Sequence, residues 1–116
     1  MKRDMNLIRL LLIQREGEEE PDLSEYSTED QVYHGALLIE AGLVHGSISE
    51  GEDGDPSGVY LTRLTWEGHE FLDAARSETV WKKVRAATVK GGVGLTLPIA
   101  KALLAKYAKE KLGLDL

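Results

Sequence analysis

Trp66-Glu67-Gly68-His69-Glu70 is the stretch of this 116-residue chain whose residue types most invite a chemical reading. An imidazole beside two carboxylates is the raw material of an acid–base pair or a metal site. The spacing argues against both. Glu67 and Glu70 lie two residues before and one residue after His69, and side chains that close in sequence do not share one face of a helix. The zinc-protease pattern sets two histidines four apart with a glutamate after the first, whereas this stretch has a single histidine. We therefore read it as the opening of a helix. Thr65 is its cap, since a threonine hydroxyl can accept a free amide two or three residues on. Trp66 and Phe71 are expected in the core, with His69 partly buried and hydrogen-bonded. Gly68 is expected at a close approach by a neighbouring element, which would offset the roughly 1 kcal/mol that glycine costs in a helix.

Three other groups carry chemistry. Glu50-Gly51-Glu52-Asp53-Gly54-Asp55 gathers carboxylates of the kind calcium takes, but it lacks the order of an EF-hand loop and reads as a solvated acidic tip. Gln31, Tyr33 and His34 crowd the start of another helix. Facing outward, they would meet a partner or a groove; facing inward, Tyr33 or His34 would pack on the first helix. Finally, Arg76, Lys82, Lys83, Arg85, Lys90, Lys101, Lys106, Lys109 and Lys111 make the last third of the chain cationic. Contact with phosphates there would weaken steeply with salt. "KGGVGLT" lacks the Gly-Lys-Ser/Thr end of a phosphate-binding loop, and there is no nucleophile elbow. No catalytic, cofactor-binding or metal-ligating residue is assigned, no cofactor is expected, and an enzyme is not the expected class.

The charge is divided unevenly. Residues 1–73 hold 5 Lys and Arg against 17 Asp and Glu, whereas residues 74–116 hold 9 against 3, within a net charge of −6. Such a split points to a tail that docks on an acidic surface, or meets nucleic acid or an anionic membrane. Apolar residues are 42% of the chain and charged residues 29%, as in ordinary globular domains. Without cysteine there is no disulfide, thiolate metal site or cysteine nucleophile, which suits a cytoplasmic setting. No segment reads as a signal peptide, and none reaches the roughly 18 apolar residues of a membrane span.

Periodicity supplies the elements that would position these groups. Met5, Ile8, Leu11 and Leu12 predict a helix over about 3–15, with Asp4 in its first turn. The acidic run 16–27, interrupted by Gly17 and Pro21, predicts a linker or short extended segment. Ser27 or Thr28 can cap a second helix over about 28–41, and Gly42 suits a left-handed C-terminal cap. Alternation predicts a hairpin, 43–48 against 59–64, with 50–58 as its tip. After the Thr65 helix, Ser77 can cap another bearing Val80, Trp81, Val84 and Ala87. A break over 91–96 follows, then a last helix with Pro98 in its first turn and a stripe of Ile99, Leu103, Tyr107 and Leu112 with Ala102 and Ala108.

Helix, linker, helix, Gly-capped hairpin, helix is the order of a winged-helix domain. Residues 1–76 are read as such an α+β domain, and 77–116 as a basic amphipathic extension of two helices. The blocks "MKRDMNLIRLLL", "YHGALLIEAGL" and "LTWEGHEFLDAARSETVWKKV" resemble domain-of-unknown-function family 2513 over roughly residues 1–85. That family comprises small, uncharacterised proteins of bacteria and their phages. The resemblance implies a winged-helix-like fold and no activity. A helix-turn-helix needs a helix immediately before the recognition helix, and the acidic 16–27 segment leaves little room for one. The recognition-position helix offers Gln31 but no basic residue, and the tip is acidic where a DNA wing would be cationic. The expectation is a non-enzymatic module that contacts protein, a homo-oligomer or another chain. The alternative is a small DNA-binding transcriptional regulator of a mobile element, using Lys82, Lys83, Arg85, Lys101, Lys106 and Lys109.

Overall fold

A computed structural model of the protein describes residues 2–113. Those residues form an α+β arrangement of five helices and one antiparallel hairpin, in a winged-helix-like order. The helix α1 spans Met5–Glu16. It starts later than its periodicity predicts because Asp4 is the cap and not a first-turn residue: its Oδ1 accepts the Asn6 N–H at 2.8 Å. Met5, Leu7, Ile8, Leu11, Leu12 and Ile13 are all buried on it, a stripe wide enough to face two neighbours.

No helix forms over residues 17–27, which run as loop and turn. The helix α2, Thr28–Glu40, follows, capped by Ser27, whose Oγ accepts the Asp30 N–H at 3.0 Å. At its far end Gly42 takes φ +74°, the left-handed geometry that the sequence predicts there. The Leu43 N–H then reaches back to the Leu38 carbonyl at 2.9 Å. The strands β1, Val44–Glu50, and β2, Pro56–Leu64, pair from Val44↔Leu64 to Glu50↔Pro56. The hairpin is longer than alternation alone predicts, so the tip shrinks to Gly51–Asp55. A register shift at Ser49/Glu50 breaks the alternation that would have marked those extra residues as strand, and a second lies near the hairpin base at Val44/Gly46. Gly35 lets α2 lie close on β2: a Cβ there would stand 2.8 Å from Val59 Cγ1. Arg15 ties α1 to the same strand, donating from Nη1 to the Leu61 carbonyl at 3.1 Å.

The helix α3, Trp66–Ala75, opens on Thr65. The Thr65 Oγ1 accepts the Gly68 N–H at 2.9 Å and donates to the Gly42 carbonyl, while the Thr65 N–H donates to the Leu43 carbonyl. Cap, hairpin base and the end of α2 therefore share one residue. Gly68 is the close approach expected: a Cβ would collide with the Leu43 carbonyl.

The chain divides between Leu72 and Asp73 into two compact units. In the second, α4, Glu78–Gly91, packs with α5, Leu97–Leu112. Ser77 caps α4, Gly92 ends it at φ +68°, and Thr96 caps α5 with a proline in its first turn. Trp81 and Val84 are buried as expected. The α5 stripe is rotated from its predicted position. Ala100 and Leu104 are the buried residues, Ile99, Leu103 and Tyr107 are half-buried, and Ala102, Ala108 and Leu112 are exposed.

Candidate interaction surface

The first turns of α2 and the hairpin tip form the two walls of an open cleft of about 430 Å³. Glu29, Val32 and Tyr33 line it from the helix, and Asp53, Asp55 and Pro56 from the tip. The tip is a tight turn: the Gly51 N–H donates to the Asp55 carbonyl at 2.7 Å, and the Asp55 N–H to Asp53 Oδ1 at 3.1 Å. Val32, Tyr33 and Pro56 are half-buried and give an apolar floor; Glu29, Asp53 and Asp55 are exposed and give an acidic rim. Among the described residues no Lys or Arg lines this cleft. The carboxylates of the tip do not gather into a ligand sphere: no group of three or more Asp, Glu or His among the described residues is placed to hold a metal ion.

The predicted contact residues of α2 separate here. Tyr33 is half-buried and lines the cleft. Gln31 is half-buried, and its Nε2 donates to the Tyr26 carbonyl at 3.2 Å. His34 must be corrected outright. It is 1% exposed and lies between the helices, its ring edge-on to Tyr33 with centroids 5.7 Å apart. Its Nε2 lies 2.7 Å from the Asp4 N–H, which can only donate, so Nε2 is the bare acceptor nitrogen. The proton is then on Nδ1, donated to the Asp30 carbonyl at 2.8 Å. Both ring nitrogens are committed to backbone, which makes His34 a clamp and not a contact.

The Trp66–Phe71 stretch is half as expected. Phe71 is buried at 3% exposure, but Trp66 is 75% exposed and His69 is exposed too. The reason is that Gly68 faces Leu43 and Leu64. Trp66 and His69, two residues before and one after it, are turned away from that contact. Trp66 lies along the surface instead, its indole N–H donating to Glu70 Oε1 at 3.0 Å. A partly buried His69 and a core Trp66 are thus both overturned.

In the second unit the cations have different neighbours. Lys83 and Lys106 come together at Tyr107, 6.0 and 5.8 Å from its ring centroid, within range of a cation–π interaction. Lys82 points elsewhere on α4, 3.7 Å from Glu78 Oε1. Arg85 and Lys101 are exposed, and Lys109 is half-buried. Among the described residues no helix is long and apolar enough to cross a membrane.

These features describe a small α+β protein, compatible with a winged-helix-like arrangement, in which α2 and the hairpin tip enclose an acidic cleft. The chain belongs to the family of hypothetical proteins of domain-of-unknown-function 2513, whose profile matches residues 2–94. It is also 32% identical over 112 residues to an uncharacterised protein of Haemophilus influenzae, a match covering 87% of this chain and 90% of that protein. No solved structure matches it. Neither relationship carries an assigned activity.

Proposed function

We propose that this protein is a non-enzymatic module that works through protein–protein contact, self-association included. The observation that supports this most is the acidic cleft. In a DNA-reading winged helix, the recognition helix enters the major groove and neighbouring basic groups neutralise phosphate. Here the corresponding surfaces present Glu29, Asp53 and Asp55. Each would repel a phosphate backbone, and α2 contains neither Lys nor Arg. The absence of a helix over 17–27 removes the first member of a helix-turn-helix pair as well. Against an enzymatic reading stands His34, the buried imidazole, with both nitrogens bonded to backbone and neither left to move a proton for a substrate.

The test is binding of the full chain to mixed-sequence duplex DNA at low and at near-physiological salt. The interaction reading expects no binding even at low salt. Binding that weakens with salt would overturn it in favour of a small DNA-binding regulator of a mobile element, with the α4–α5 cations on the phosphates. One observation favours that second reading: Lys83 and Lys106 flank the Tyr107 ring, and cation beside aromatic is what a nucleic-acid surface uses.

A further inference from the structure

The acidic cleft and the exposed face of α4 are complementary, and both belong to the same chain. Lys82, Arg85 and Val89 follow each other at three- and four-residue spacing along α4, so they form one stripe, and all three are exposed. Val89 is 81% exposed, the most exposed large apolar side chain among the described residues. The stripe therefore presents two cations and one apolar group together on one exposed face. The cleft offers the reciprocal set. Val32, Tyr33 and Pro56 are a half-buried apolar floor, and Glu29 and Asp55 are exposed carboxylates on opposite walls. A volume of about 430 Å³ accepts side chains from a helix laid across it, not the helix itself.

Charge selects the occupant. Residues 1–72 hold 5 Lys and Arg against 16 Asp and Glu; residues 73–116 hold 9 against 4. The cleft lies on the anionic unit and the α4 stripe on the cationic one. The Lys82–Glu78 pair does not compete strongly, because both side chains are largely exposed at 69% and 76% and such pairs contribute little. The net charge of −6 opposes association at long range, but salt near physiological strength screens it beyond about 8 Å and leaves direct pairs intact.

We infer that the cleft between α2 and the hairpin tip receives the Lys82–Arg85–Val89 face of α4 from a second copy of this chain, joining copies head to tail. This rests on the protein-contact reading above and names its partner. A head-to-tail contact closes into a symmetric pair or ring, or propagates, according to the rotation it imposes.

The experiment is sedimentation velocity of the full chain over a concentration series, with two double variants. Glu29→Lys with Asp55→Lys reverses the rim of the cleft; Lys82→Glu with Arg85→Glu reverses the stripe. The wild-type chain is expected to associate. Each variant alone should weaken association roughly tenfold or more. An equimolar mixture of the two should regain it, because each then meets its complement. Glu29→Gln with Asp55→Asn, which removes charge without adding any, replaces the first variant if circular dichroism shows it unfolded. Association that persists in both variants overturns the docking while the protein-contact reading stands, another face then holding the copies. A wild-type chain that is monomeric at every concentration also overturns the docking, and the DNA titration then decides the reading beneath it.

Discussion

The imidazole of His34 accepts the backbone N–H of Asp4 at 2.7 Å across thirty residues of sequence. Asp4 is the cap of α1 and His34 sits in α2, so one ring holds the start of the first helix against the middle of the second. Its other nitrogen holds the Asp30 carbonyl of its own helix. Replacement by alanine leaves a backbone donor without its acceptor beside a new cavity. His34→Ala should therefore cost about 2–4 kcal/mol in urea unfolding. A loss under about 0.5 kcal/mol would show the clamp to be ornamental.

Gly68→Ala sets two effects against each other. Alanine gains about 1 kcal/mol in helix propensity. Its Cβ, however, meets the Leu43 carbonyl, which is backbone and itself accepts the Thr65 N–H. The collision should win, destabilising by about 1–3 kcal/mol net. A variant with a raised melting temperature would place Leu43 further from α3 than the structure does.

The two tryptophans should differ in quenching. Trp66 is 75% exposed and Trp81 only 3%. Iodide should quench about half of the folded protein's emission, and Trp66→Phe should remove that fraction while changing stability by less than about 0.5 kcal/mol. Emission that stays quenchable after Trp66→Phe would mean that Trp81 is reachable by solvent.

Leu104→Ala and Leu112→Ala test the rotation of α5. Leu104 is 2% exposed and Leu112 is 70% exposed. The first should cost about 2–5 kcal/mol and the second less than about 0.5 kcal/mol. The reverse order in thermal unfolding would restore the stripe that the sequence predicts.

Asp22 should titrate below the ordinary aspartate range. The Ser24 hydroxyl and then the Ser24 backbone N–H, at 2.9 Å, stabilise its carboxylate. A pKa lowered on folding contributes stability that is present above the unfolded value and lost as pH falls through the folded one. An NMR titration should show the low value, and Ser24→Ala should raise it toward normal; an unchanged value would remove the hydroxyl as its cause.

Much of the fold is local in origin and therefore legible in the chain itself. Ser27, Thr65 and Ser77 announce helix starts because a short hydroxyl side chain satisfies an orphan amide wherever the helix goes. Gly42 announces a helix end because its φ of +74° strains any residue with a Cβ. The Met5–Ile13 periodicity, the hairpin and the breakers at Gly17 and Pro21 are signals of the same kind.

What the tertiary structure alone decided is direction. Trp66 and Phe71 are both large and aromatic, yet one is exposed and one buried, because the Gly68 contact with Leu43 fixes how α3 is rotated. The sequence leaves His34 either facing outward or packing on the first helix, and only the Asp4 N–H, thirty positions away, decides for packing. The α5 stripe moved because half-apolar helices rich in alanine and lysine define their inner face weakly, and packing with α4 chose Ala100 and Leu104. The cleft is the clearest case. Its carboxylates were visible as two separate acidic runs, Glu29-Asp30 and Glu50–Asp55. Their meeting depends on Gly35 letting α2 rest on β2 and on a hairpin long enough to bring its tip to Tyr33, and no local signal encodes a distance between two elements.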